Sequence, residues 1–208
     1  PASMVKNLQQ ELKANPVKQA QHMSVSQFKA LVATRPPITP DNTLIRTVYL
    51  AVFFGTSRMG DILPPTAKDI ERGPPLSSVK CSSHSASFVS SFTKNSKRPV
   101  TFRYRPTASK TICPVAAIAA LNEQSSNNDK NVHRALFIWP SGSLLRVRAM
   151  YDILRSDLIK TGLSEEEALR FTVHSFRHTS TTNMTGTEEE KMKRGGWKSI
   201  KMLRKYDH

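Results

Sequence analysis

The chain has 208 residues, of which 38% are hydrophobic, so it can bury the core of one domain and is not a disordered tail. Its 31 lysines and arginines against 16 aspartates and glutamates give a formal net charge of +15, which indicates a polyanionic partner. No apolar run reaches the roughly 18 residues of a membrane-spanning helix, so we expect an intracellular protein with no membrane partner.

A short N-terminal segment, residues 1–23, is predicted to precede the main domain at 24–208. Its helical pattern at residues 6–14 ends before Pro16, because proline disrupts a helix interior. Residues 1–3 stand ahead of a methionine and are interpreted as an expression-tag remnant.

Helices are predicted at the start of the main domain. Ser24 and Gln27 have the spacing of a capping box, which predicts a helix that continues through Val32. Apolar residues recur at helical spacing over 42–55 and predict a well-buried helix. A short helical piece follows at 58–63.

The middle of the chain predicts two strands joined by a basic turn. Residues 88–92 form the first candidate strand. In the second, Val100, Phe102 and Tyr104 alternate with polar residues, which is the pattern of a half-buried strand. Residues 94–98, Lys-Asn-Ser-Lys-Arg, would form the hairpin turn between them.

The remainder of the chain is predicted to be helical. Helices are expected at 114–123 and 146–160, and short helices from His174 onward are interrupted near Gly186 and at 195–196. The predicted fold class is therefore α+β, mainly helical, with one small antiparallel sheet.

Three small groups of residues have the chemistry of a phosphate site. His174 and Arg177 are three residues apart and share a helix face, where an arginine can bind phosphate and a histidine can move a proton. Arg58 precedes Asp61 by three residues, so the carboxylate could hold its guanidinium. Tyr206 lies near the end of the sequence. Taken singly, each group also fits a structural histidine, a surface ion pair or a packed aromatic residue.

The order of the motifs is more specific than any one of them. GTSRMGD at 55–61 is followed by HSFRHT at 174–179, by GGWKS at 195–199, and by Tyr206 nine positions after Trp197. This series resembles the tyrosine recombinases, also called the phage integrase family, over nearly all of the main domain. The GGWKS motif is also similar to the corresponding motif in recombinases of eukaryotic mobile elements of the DIRS and Crypton kinds.

The resemblance implies a role for each matching position. Tyr206 would be the nucleophile and would form a 3′-phosphotyrosyl intermediate with DNA. Arg58 and Arg177 would clamp the non-bridging oxygens of the scissile phosphate. His174 would act as a general acid–base or as a further phosphate donor, and Lys94 would protonate the departing 5′-oxygen.

Supporting roles follow from the same resemblance. Trp197 would occupy the place of the family's second histidine, where it can donate one N–H and pack but cannot transfer a proton. Asp61 would support Arg58.

The hairpin lysine remains open between candidates. Lys94 follows the first strand more directly than Lys97 does, so we prefer it, and Lys110 is a remote third option. Lys97, Arg98 and Lys198 are expected to contact DNA.

The chemistry implied needs neither a metal nor a cofactor. Two guanidiniums and an imidazole can stabilise the charge of a phosphoryl-transfer transition state, and the phosphotyrosyl bond conserves the energy of the broken ester. The sequence has no GxxxxGK[ST] motif and no two-metal carboxylate pattern. Cys81 and Cys113 form no CxxC pair, so we also predict no zinc site.

The resemblance implies double-stranded DNA as the substrate and a homo-oligomer on it, either a tetramer or a dimer per site. Relatives carry an N-terminal core-binding domain and a segment after the tyrosine, and the sequence stops two residues after Tyr206. We therefore expect a catalytic-domain fragment. A mobile-element recombinase of a eukaryote would act in the nucleus, and one of a prokaryote in the cytoplasm or nucleoid.

Three other functions are kept as alternatives. A type IB topoisomerase has similar active-site chemistry and would relax supercoiled DNA. A domesticated, non-catalytic DNA-binding protein could descend from a recombinase, although decay would be expected to remove the catalytic residues first. A basic RNA-binding protein ranks last, because the sequence has no RNP-like aromatic strand.

Overall fold

The computed structural model describes residues 21–66, 73–91, 93, 98–127 and 135–204. Over this part of the chain, helices predominate around one small antiparallel sheet, which confirms the predicted fold class. The helices are α1 Val25–Ala33, α2 Pro40–Gly55, α3 Met59–Ile62, α4 Pro114–Asn127, α5 Val147–Lys160, α6 Glu165–Leu169, α7 Ser175–Thr182, α8 Glu188–Gly195 and α9 Ile200–Leu203. The strands are β1 Lys80–Cys81, β2 Ala86–Ser90 and β3 Val100–Tyr104. The predicted helix at 6–14 lies outside the described residues.

Helix α1 begins at the predicted capping box. The Ser24 hydroxyl accepts a hydrogen bond from the Gln27 N–H, and the Gln27 side chain accepts one from the Ser24 N–H. Each bond satisfies a backbone donor that a helix N-terminus would leave unpaired. The residue before this cap, Met23, donates its N–H to the Thr179 hydroxyl at 3.0 Å, which ties the entrance of α1 to α7.

Helix α2 forms the centre of the fold. It begins two residues earlier than predicted, because the Thr39 hydroxyl caps it and Pro40 occupies its first position, where no N–H is needed. Every residue from Thr43 to Phe53 is buried, and the helix packs against α4, α7 and β3. Its last turn therefore lies in the interior of the protein, close to the helix that carries the second arginine motif.

Aromatic side chains connect the helices around α2. The rings of Phe28 in α1 and Phe53 in α2 are stacked with centroids 4.0 Å apart. Tyr49 and Phe176, from α2 and α7, stack at 5.3 Å. Such pairs add stabilisation beyond the area that they bury, so they fix α7 relative to the end of α2.

The sheet has the strand order β1-β2-β3 with antiparallel pairing throughout. Strand β3 begins at Val100 as predicted and ends at Tyr104, one residue before the end of the predicted alternation. Strand β2 begins two residues before the predicted 88–92 and ends at Ser90. Phe88 pairs with Phe102 and packs on Phe137, which attaches the sheet to the core. The predicted basic turn falls on residues 94–97, outside the described residues, except for the exposed Arg98.

The C-terminal third consists of short helices, as predicted, and breaks occur at the predicted glycines. Gly186 and Gly196 both have positive φ, at 112° and 64°. Helix α6 was not predicted, although Ser164 and Glu167 form a capping box there. No helix in the described ranges is long and apolar enough to cross a membrane.

Candidate active site

The turn after α2 positions Arg58. Thr56 ends α2 in the left-handed conformation, with φ 47°, and Arg58 is the N-cap of α3. The Asp61 carboxylate accepts a hydrogen bond from the Arg58 N–H at 2.9 Å. In the described ranges, the bond that joins these two residues is made to the backbone of Arg58, whereas the sequence suggested the guanidinium. Asp61 thus fixes the point from which the Arg58 side chain extends.

Arg177 is buried, with 2% of its surface exposed, and its guanidinium is held by several contacts. Its Nη1 donates to the carbonyl of Thr56 and its Nη2 to the carbonyl of Gly195, both at 2.6 Å. The guanidinium carbon lies 4.4 Å from the centroid of the Trp197 ring, within the range of a cation–π interaction. Three segments of the chain, the ends of α2 and α8 and the helix α7, therefore meet at this cation.

The Gly195-Gly196-Trp197 sequence has a local structural reason. A Cβ on Gly195 would collide with the Trp197 ring, and Gly196 adopts a left-handed conformation that ends α8. The backbone N–H of Trp197 donates to the Met192 carbonyl at 3.0 Å, which ties the backbone at Trp197 to the last turn of α8. The two glycines thereby allow the 5% exposed Trp197 side chain to pack over Arg177.

His174 lies at the edge of this arrangement. It is the N-cap of α7, three residues before Arg177, and it is exposed. Its N–H donates to the Thr172 hydroxyl at 3.2 Å. His174 and Trp197 do not line the cleft described next, so the imidazole is presented to solvent and the indole lies beside the buried guanidinium.

A cleft of about 920 Å³ brings the two motif arginines together. Arg58 and Arg177 line it, together with residues from β3 and from the end of α8. Among its described lining residues, Asp61 is the one carboxylate and the cations are Arg58, Arg103, Arg105, Arg177, Lys193, Arg194 and Lys198. A concave surface with charges of one sign concentrates the electrostatic field and attracts a polyanion.

Four of these cations were not among the residues predicted from the sequence: Arg103, Arg105, Lys193 and Arg194. Arg103 lies on β3, the strand that the period-2 pattern predicted, and that pattern already assigned Arg103 to the polar face. The signal for it was available. Lys193 and Arg194 become part of the cleft only through the packing of α8, which no local pattern reveals.

Several predicted site residues do not line this cleft. Three of them, Tyr206, Lys94 and Lys97, lie outside the described residues. Arg98 and Lys110 are described and exposed, but neither lines the cleft. Of the expected DNA contacts, Lys198 is therefore the one that the structure brings to the cleft.

The helix that leads to Tyr206 is attached to α8. Arg204, directly after α9, donates from Nε and Nη2 to the two carboxylate oxygens of Glu188 at 2.9 and 3.2 Å. These hydrogen bonds lower the pKa of the Glu188 carboxyl and raise the pKa of Arg204. The chain just before the predicted nucleophile is thus joined to the same helix whose other end supports Arg177.

No group of three or more histidine, cysteine or acidic side chains that could hold a metal occurs in the described ranges. The charge in the cleft is supplied by arginine and lysine side chains.

Residues 79–208 match the family model described as the phage integrase family. The match covers more than half of the chain and includes the HSFRHT and GGWKS motifs as well as Tyr206. The chain belongs to the phage integrase family. The resemblance inferred from the motifs is thereby confirmed, and Arg58 stands before the part of the chain that the phage integrase model matches.

Solved structures of recombinases share the fold. XerA recombinase matches with a TM-score of 0.65 and 16% sequence identity over 93% of this chain and 60% of the other. XerH site-specific recombinase, in a post-cleavage complex with a palindromic difH substrate, matches with a TM-score of 0.62 and 13% identity over 91% and 50% of the two chains. FLP recombinase in a Holliday junction complex matches with a TM-score of 0.56 and 16% identity over 95% and 51%.

The chain spans 50 to 60% of the length of these three proteins. At such low identities the matches establish the phage integrase fold. Comparison with curated protein sequences finds no significant match.

Proposed function

We propose that the chain is the catalytic domain of a recombinase that breaks and rejoins duplex DNA through a 3′-phosphotyrosyl intermediate. The observation that carries this proposal is the convergence of Arg58 and Arg177 on one cationic cleft in a chain of the phage integrase family. The two arginines come from motifs far apart in the sequence, and the fold places them at the same surface. A phosphodiester is the ligand whose charge and geometry suit two neighbouring guanidiniums.

Arg177 is proposed as the preorganised part of the phosphate clamp. Two carbonyls and an indole fix its guanidinium, so the cation needs little reorganisation when negative charge develops on the phosphate oxygens. Arg58 would complete the clamp from a backbone position that Asp61 fixes. Loss of one such arginine is expected to reduce the rate by about 10³-fold.

The remaining roles are assigned by the family motif. Tyr206 would attack the phosphate, and its ordinary pKa of about 10 means that it needs activation near neutral pH. Lys94 would protonate the departing 5′-oxygen, with Lys97 as the alternative on the same hairpin. The exposed His174, at the start of α7, would serve as proton carrier or further phosphate donor.

The solved relatives indicate the kind of substrate and assembly. XerH was solved with a difH substrate and FLP with a Holliday junction, so double-stranded DNA is the substrate that we propose for this chain. We further propose a homo-oligomer on DNA, as a tetramer or as a dimer at each site. The corresponding location is the nucleus of a eukaryote or the nucleoid of a prokaryote.

A covalent-adduct assay tests this function. The protein is incubated with supercoiled plasmid in EDTA, the reaction is stopped with SDS, and protein-bound DNA is measured. We expect an adduct with the parent and none with Tyr206→Phe. Tyr151→Phe is the matched control, because Tyr151 lies on α5 and does not line the cleft, and it should form the adduct normally.

Other results would contradict the proposal in distinct ways. An adduct that survives in Tyr206→Phe would remove Tyr206 from the nucleophile role. Relaxation of the plasmid without sequence preference would favour a type IB topoisomerase activity. The protein could also bind duplex DNA tightly and form no adduct, either on plasmids or on the ends of the mobile element that encodes it. That result would indicate a DNA-binding protein without catalysis.

A further inference from the structure

The side chain of Ser57 has an unusual environment for a buried serine. It is 2% exposed, and its hydroxyl has no hydrogen-bond partner among the described residues. Ser57 also lines the cleft that holds Arg58 and Arg177. A buried hydroxyl without a partner costs free energy, so its retention beside a binding cleft calls for an explanation.

The position of Ser57 between the two arginines is set by the backbone. The carbonyl that holds the Arg177 Nη1 belongs to Thr56, and this carbonyl is part of the peptide unit that leads into Ser57. The guanidinium of Arg177 therefore lies within about 6 Å of the Ser57 Cα, given standard backbone dimensions. Arg58 is the next residue along the chain. Any phosphate that both arginines bind would come close to this side chain.

Within the part of the chain that the structure describes, the Ser57 hydroxyl makes no hydrogen bond that would stabilise the fold. The Ser57 N–H closes the end of α2 by donating to the Val52 carbonyl at 3.2 Å. The neighbouring hydroxyls of Thr56 and Ser180 bond to each other at 2.9 Å, so they are satisfied within the protein. Ser57 differs from both, because an alanine would fill the same position without leaving a polar atom unpaired.

We propose that the Ser57 hydroxyl is a further phosphate-binding group of the site, which donates a hydrogen bond to a non-bridging oxygen held by Arg58 and Arg177. This inference rests on the proposed function in that it takes the ligand of the cleft to be a phosphate. Because Ser57 lines the cleft, rotation of its side chain between staggered rotamers is the movement by which the hydroxyl would reach the phosphate. The phosphate oxygen then supplies the acceptor that the protein does not provide.

The experiment compares Ser57→Ala with Ser78→Ala in the full chain. Ser78 is the matched control, because its hydroxyl donates to the Pro75 carbonyl and does not line the cleft. Inorganic phosphate is the probe, and its affinity is measured by titration calorimetry and by the rise of the melting temperature at constant ionic strength. We expect Ser57→Ala to bind phosphate roughly tenfold more weakly, as for loss of a hydrogen bond to a charged group. Ser78→Ala should bind it as the parent does.

Stability without phosphate provides the second readout. Removal of an unpartnered buried hydroxyl should leave the melting temperature of Ser57→Ala unchanged or raised, whereas a structural role would lower it. Equal phosphate affinity in Ser57→Ala and the parent would overturn the inference. So would a lowered melting temperature of Ser57→Ala without phosphate, or the absence of saturable phosphate binding by the parent.

The adduct assay separates this inference from the proposed function. If the parent forms no adduct and Ser57→Ala still weakens phosphate binding, the recombinase function fails and the phosphate site stands. If the adduct depends on Tyr206 while phosphate affinity is unaffected by Ser57→Ala, the function stands and the role of Ser57 is excluded.

Discussion

Arg177 is a charged residue at a buried position, which is costly unless its hydrogen-bonding groups are satisfied. Here two backbone carbonyls and the face of Trp197 offset that cost. Neutral side chains of similar volume could pack the same space at no less stability. A buried guanidinium that lines a cleft is consistent with the proposed role in phosphate binding, in which the groups that hold Arg177 would matter as much as the arginine itself.

Gly195 is predicted to be intolerant of even a methyl group. In Gly195→Ala the new Cβ would collide with the Trp197 ring, so either the indole must leave Arg177 or the end of α8 must shift. We expect loss of DNA adduct formation by about 10²-fold or more, since small displacements of a catalytic group are costly. The melting temperature should also fall.

Gly60→Ala is the control for this substitution. It lies in α3, two residues after Arg58, and a Cβ there meets no atom within 4 Å. Alanine favours helix more than glycine does by about 0.5–1 kcal/mol, so Gly60→Ala should be at least as stable as the parent and should form adduct normally. Equal activity of the two variants would show that the packing of Trp197 on Arg177 has no catalytic importance.

The motifs led to the two arginines that the cleft brings together, but the contacts of these residues could not be predicted. The spacing of the motifs identified Arg58 and Arg177, and the structure places both in one cleft. The bond from Asp61 to the Arg58 backbone depends on the turn geometry after α2. The Ser57 hydroxyl lacks a hydrogen-bond partner among the described residues because of the tertiary packing around it, which the local sequence does not reveal.

The start of α1 was predicted from its capping box at Ser24 and Gln27, whereas α2 begins two residues before its predicted start although Thr39 caps it. Helix α5 begins within one residue of its predicted start, and Arg146 makes no side-chain cap there. Strand β1 was missed because its two exposed residues are too few to show an alternation of apolar and polar side chains. Its pairing with β2 defines it. Helix α6 was missed, although Ser164 and Glu167 have the spacing of a capping box at its start.

A buried carboxylate joins three parts of the helical core. Asp157 on α5 is fully buried and accepts hydrogen bonds from Arg35, which follows α1, and from the hydroxyl of Tyr49 on α2, at 2.6 and 2.9 Å. Burial, followed by the negative charge of Asp157, raises the pKa of Tyr49 well above its ordinary value of 10. This contact makes the attachment of α5 to α2 dependent on pH in the alkaline range.

Tyr49→Phe is predicted to destabilise the protein by about 1.5–3 kcal/mol at pH 8, because a hydrogen bond to a charged group is lost. Since the pKa of Tyr49 is raised in the folded state, its contribution is fully present below pH 10. Above pH 10 the unfolded chain ionises first, and the contribution falls by up to about 1.4 kcal/mol for each pH unit.

The measurement is urea unfolding of the parent and of Tyr49→Phe between pH 8 and pH 11. The difference in unfolding free energy should narrow as the pH rises above 10, because every other titrating group is common to the two proteins. A constant difference over that range would mean that the Tyr49 phenol has a similar pKa in the folded and unfolded states.

At the scale of the whole molecule, the chain has a formal net charge of +15, and part of this charge is concentrated in one cleft. Cations from the turn after α2, from β3, from α7 and from the end of α8 line one cleft, beside a single carboxylate among the described lining residues. If this surface binds DNA, counterions are released, so the logarithm of the binding constant should fall linearly with the logarithm of the salt concentration. The slope reports how many cations contact phosphates, independently of sequence recognition.

Two substitutions that each remove one positive charge distinguish the contribution of the cleft to DNA binding from the contribution of the net charge. Arg105 lines the cleft, whereas Arg170 lies outside it and bonds to Glu166 at 2.9 Å. In anisotropy titrations of a fluorescent duplex at several salt concentrations, Arg105→Gln should weaken binding and reduce the salt slope by about one. Arg170→Gln should leave the slope unchanged. If both variants reduced the salt slope equally, DNA binding would depend on the net charge of the protein. The cleft would then not be the DNA-binding surface that we propose.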